Sequence, residues 1–65
     1  MKLEIGSKIG WLCAAGNLKG TVERIVLDLN AANQTVPWLM ISTEKGVVRL
    51  CGIDSNLRAL RVKVI

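Results

Sequence analysis

Residues 21–29, TVERIVLDL, constrain the fold of this chain more than any other stretch. Ile25, Leu27 and Leu29 alternate with Val26 and Asp28, the period of a strand with one face towards a core. Val22 is out of phase with them. A slip of one residue near Glu23-Arg24 is what a β-bulge or sharp bend produces. Long strands with such bends are what a small barrel needs in order to close. A helix could use the same apolar spacing, but Gly20-Thr21-Val22 at its start disfavours it.

The rest of the chain is cut at short intervals by turn residues. After Gly6-Ser7 comes KIGWLC, a short strand with Ile9 and Trp11 on one face. Ala14-Ala15-Gly16-Asn17 reads as a turn or loop before the longest strand, LKGTVERIVLDL. Residues 30–37 read as a polar loop, with Pro37 pushing Val36 towards extended geometry. Residues 37–51, PWLMISTEKGVVRLC, read as a hairpin turning at Glu44-Lys45-Gly46. Leu39, Ile41, Val48 and Leu50 would face inward, and Trp38, Met40, Val47 and Cys51 outward. Asp54-Ser55-Asn56 reads as a turn or one turn of 3₁₀ helix capped by Asp54. The final ALRVKVI reads as a half-buried strand, with Leu60, Val62 and Val64 on one side and Arg61 and Lys63 on the other. The expectation is all-β: five strands and at most one short helical turn.

At 65 residues the chain is a single domain, 1–65. So short a chain buries only about 60% of the surface its unfolded form exposes, and small scaffolds usually need a disulfide, a metal or a partner subunit. Aromatics make up 3% of the residues, so the core must be aliphatic. The chain has more aliphatic residues than a small barrel's interior should need, which points to a homo-oligomer or a protein partner. Cys13 and Cys51 are too few for a disulfide framework and are expected to be reduced. Met1-Lys2-Leu3-Glu4 leads into polar and turn residues with no apolar h-region, so no signal peptide is expected. No apolar run is long enough to span a bilayer. The cytoplasm is therefore the expected location, without a membrane partner, and the initial Met suggests a complete small gene product.

The segments IGSKIGW, Gly20-Thr21-Val22 and DSNLRAL carry a resemblance. Gly-x-Lys-apolar followed by Gly-Thr-Val is similar to the opening of KOW, Tudor-like and related bacterial SH3-like domains. The resemblance spans residues 6–64. It implies a five-stranded SH3-like small barrel with one short 3₁₀ turn before the last strand; Sm-like barrels are a close alternative. Such barrels bind RNA, DNA, peptides or themselves, and the fold does not choose among these. The departures exclude some activities. Peptide-binding SH3 domains use an aromatic groove, and this chain has no Tyr and no Phe. Tudor-type readers need an aromatic cage, which Trp11 and Trp38 cannot complete in one chain. The plasmid-borne type II dihydrofolate reductase looks like a distant architectural relative. Where it carries Gln-Ile-Tyr, this chain has Arg49-Leu50-Cys51, so the match fails where the chemistry would reside.

The residues offer little for catalysis. The chain has no His, the commonest general base and metal ligand. Cys13 and Cys51 lack CxxC spacing. Glu4, Glu23, Asp28, Glu44 and Asp54 are scattered, Ser7, Ser42 and Ser55 lack a base, and the glycines form no phosphate loop. No enzyme activity, cofactor, metal or small-molecule substrate is expected. The net charge of +4 favours nucleic acid or an acidic protein surface. Lys8, Lys19, Arg49, Arg58, Arg61 and Lys63 are the candidate phosphate contacts, with Lys8, Arg61 and Lys63 forming one stripe if the first and last strands are neighbours. Trp38, Met40, Val47 and Cys51 are the candidate interface, since a contiguous exposed apolar patch usually marks one.

Overall fold

A computed structural model describes residues 3–65; Met1 and Lys2, which begin the stretch that carries the expectation of no leader, lie outside the described residues. The chain runs β1 (Lys8–Cys13), β2 (Gly16–Leu29), β3 (Thr35–Thr43), β4 (Gly46–Cys51), α1 (Asp54–Ala59) and β5 (Lys63–Val64). The strands form one antiparallel sheet in the order β4-β3-β2-β1-β5.

The phase slip in β2 is a bulge. Val22 stands opposite Ile41 and Arg24 opposite Met40, which leaves Glu23 as the extra residue. Strict alternation would put Val22 and Ile25 on opposite faces. The bulge puts both on the face shared by Ile41 and Leu39, so β2 keeps its apolar residues inward on both sides of the bend. On that face lies the core: Ile9, Trp11, Val22, Leu39, Ile41, Leu57 and Val62. Fully burying an aliphatic side chain of this kind stabilises by roughly 1.5–3 kcal/mol. Gly20 belongs to the same packing. A Cβ there would meet Ile41 Cγ2 at 2.5 Å and the Ser42 carbonyl at 2.7 Å.

Several expectations are corrected. The sheet is open rather than closed into a barrel: β4 and β5, its two outer strands, share no ladder. β5 has only two residues and pairs with β1 alone, so its outer edge stays unpaired. Residues 54–56 are not a lone 3₁₀ turn but the start of α1, a six-residue α-helix. Asp54 lies inside it, and the N-cap is Ile53, whose side chain makes no capping bond. The helix forms because Leu57 is buried in the core and anchors it.

The final strand is shorter than its alternation suggests. Residues 59–61 close the helix instead. The Arg61 N–H donates to the Arg58 carbonyl at 3.1 Å and the Val62 N–H to the Leu57 carbonyl at 2.9 Å. That pair of bonds is a Schellman motif, in which the residue after the C-cap is left-handed and the next one packs back on the helix. Leu60 is the C-cap, Arg61 has φ of 53°, and Leu57 and Val62 meet in the core.

The polar loop is also shorter, because β3 begins at Thr35 and includes Pro37. Pro37 is tolerated because its carbonyl faces the β4 side, where it accepts from the Gly52 N–H just past the end of β4. Its missing N–H points the same way and removes no bond to β2. Asn30 closes the loop, its side-chain oxygen accepting from the N–H groups of Ala32 and Gln34. Val48, expected inside, is 38% exposed, because it lies on the outer strand β4. The larger apolar exposure is on β2 beyond the bulge: Ile25 at 40%, Leu27 at 72% and Leu29 at 54%. These residues continue the core face past the last packed side chain.

Candidate binding surface

The register of β2, β1 and β5 assembles a basic surface. Lys19 stands opposite Gly10, and Gly10 opposite Lys63, so one rung across three strands reads Lys-Gly-Lys. Residues directly opposite each other share a face, and this face is the one turned away from the core, because Ile9 and Trp11 point the other way. Two strand spacings put the two lysine Cα atoms on the order of 10 Å apart. Gly10 contributes no side chain between them, and Ile65 lies across it, with its Cδ1 3.3 Å from where a Cβ would be. Lys8 is on the same face, two residues back along β1.

The result is an open groove of about 760 Å³, lined by Gly10, Trp11, Leu12, Asn17, Leu18, Lys19, Arg61, Lys63 and Ile65. A second groove, of about 470 Å³, is lined by Asp54, Leu57, Arg58, Arg61 and Val62. Arg61 lines both. Its left-handed backbone turns the chain from α1 into β5 at the junction of the two grooves. Glycine is the usual residue at such a position, and an L side chain there costs roughly 1–2 kcal/mol. Lys8, Lys19, Arg58, Arg61 and Lys63 make no ion pair with a carboxylate among the described residues.

Arg49 does not join them. It lies on β4, at the other end of the strand order, 4.0 Å from the Asp28 carboxylate and with its guanidinium 4.5 Å from the centre of the Trp38 ring. It therefore belongs to the outward face of the hairpin. Trp38 stands opposite Cys51, Met40 opposite Arg49 and Ser42 opposite Val47, so Trp38, Met40, Val47 and Cys51 do share a face. Val47 is 54% exposed; Trp38, Met40 and Cys51 are half-buried. The Trp38 indole N–H is buried without a hydrogen-bond partner. Trp11 is 4% exposed and belongs to the core.

Cys13 and Cys51 are free thiols. Among the described residues no three of His, Cys, Asp and Glu come together as a metal site, and no helix is long and apolar enough to cross a membrane. Comparison with family models, curated proteins and solved structures returns no match.

The sequence named the cations but not which of them the fold brings together. Asn17 and Gly10 were missed altogether. Gly10 could have been found only from the pairing of β1 with two neighbours, since a glycine in KIGWLC has no signal of its own.

Proposed function

We propose that this chain is a non-catalytic binding module of the SH3-like kind, with its barrel left open, that associates with nucleic acid in the cytoplasm. The strand order, with β1 between β2 and β5, and the short helix before the last strand support the fold reading. The observation that carries the function is the basic face itself: Lys19 and Lys63 flank Gly10 in one rung, with Arg61 beside them, and none of the three is neutralised by a described carboxylate. Lys8 and Arg58 extend this surface.

Phosphates neutralised by such cations release counterions, so binding falls steeply with salt. The test is fluorescence anisotropy of end-labelled, mixed-sequence oligonucleotides at about 50 and about 200 mM salt. Binding that weakens by a factor of ten or more between the two supports the reading. No binding at the lower salt rejects it.

A second reading is self-assembly or protein binding through Trp38, Met40, Val47 and Cys51. The apolar face these residues share, with Val47 54% exposed on it, favours it. Apolar assembly holds or strengthens in salt, the opposite of phosphate binding.

A further inference from the structure

The basic grooves carry a choice between double- and single-stranded ligands, and that choice rests on the nucleic-acid function proposed above. Single strands are held by stacking bases on exposed rings as well as by charge. The chain has two aromatic residues. Trp11 is in the core, and Trp38 is half-buried with the Arg49 guanidinium over its ring. The larger groove is lined by Leu12, Leu18 and Ile65 and by Trp11, whose side chain is only 4% exposed. Buried to this extent, Trp11 offers a base no open ring face on this side.

Charge density points the same way. A duplex presents one phosphate charge per about 1.7 Å of its axis, twice the density of one strand. Five cations held by a rung, a neighbouring strand position and a helix end sample more phosphates on a duplex. The protein's longest dimension is 29 Å, so it can lie along roughly 8 base pairs at about 3.4 Å each. Arg61 is central because it lines both grooves and keeps a side chain where the backbone, at φ of 53°, favours glycine. Asp54 is the one acid lining either groove, one helical turn before Arg58 on α1.

We propose that this surface binds the sugar–phosphate backbone of double-stranded nucleic acid without reading its bases, with Arg61 as the contact that joins the two grooves. The experiment compares the full chain's affinity for a duplex of about 16 base pairs, as DNA and as RNA, with that for its separate strands. Either duplex is expected to bind at least about tenfold more tightly than the single strands. Two duplexes of different sequence should agree within about twofold. The slope of log affinity against log salt should approach about −4.5 for five contacts on DNA.

Arg61→Gly is the matching variant. It keeps the backbone in the conformation glycine prefers, so its melting temperature should not fall. Duplex binding should weaken at least about threefold, and the salt slope should lose about 1 in magnitude. Lys45→Ala, in the β3–β4 turn, should leave binding unchanged. Single strands binding as well as duplexes would overturn the proposal while leaving the nucleic-acid reading intact. An Arg61→Gly chain that folds and binds duplex as tightly as the wild type would overturn it too. Absence of binding by every oligonucleotide at low salt would remove both.

Discussion

Gly20 and Arg61 are the two residues whose backbone surroundings decide most. At Gly20 the missing side chain is a packing requirement. Ile41 and the Ser42 carbonyl already occupy the space, and the carbonyl belongs to a central strand that cannot easily retreat. Gly20→Ala should destabilise the chain by about 2–3 kcal/mol, the upper part of the range for overpacking, read as a drop in urea midpoint at unchanged m-value. Arg61 is the reverse case: the position suits glycine, and the chain has arginine. Its charge was legible in the sequence, because the alternation of ALRVKVI marks Arg61 and Lys63 as polar. The left-handed backbone was not. It arises from two hydrogen bonds that Leu57 and Arg58 accept, and those exist only once the helix has formed.

Among the elements, α1 depends most on its surroundings. Six residues are far too few for a helix to be stable alone, and its N-cap Ile53 supplies no side-chain bond. What holds it is the burial of Leu57 against Val62, the two closing bonds at its C-terminus, and the Asn56 side-chain amide donating to the Cys51 carbonyl at 2.8 Å. Leu57→Ala should therefore cost about 2–4 kcal/mol, measured by chemical denaturation. β2 is the opposite kind of element. Its length and its bend could be read directly, because a period-two pattern with one slip has few other meanings. Its exposure could not. Leu27 looks like a core residue by alternation, yet it lies beyond the reach of the core and is 72% exposed. Leu27→Thr should change stability by no more than about 0.5 kcal/mol in the same assay. A loss several times larger would mean that the residue is covered in solution.

At the scale of the whole molecule, the basic and apolar surfaces are on different parts of the sheet. Lys8, Lys19 and Lys63 lie over β1, β2 and β5; Trp38, Met40, Val47 and Cys51 lie over β3 and β4. One chain could use both at once, and sedimentation separates the roles. If the hairpin face assembles copies of the chain, the weight-average mass should rise with protein concentration and persist at high salt. A monomer at all concentrations would remove self-assembly through this face.

The sequence by itself determined the all-β class, the positions of β1 to β4 within a few residues, the bulge in β2, and the identity of the cations. Each follows from local rules: period-two alternation, turn residues and formal charge. Only the tertiary structure decided that the sheet stays open, that residues 54–59 are helical, and that Lys19, Gly10 and Lys63 stand in one rung. Those outcomes depend on register and burial between segments far apart in the chain. Leu57 reaching the core, with the helix closure it anchors, cuts the strand expected over residues 59–65 to Lys63–Val64.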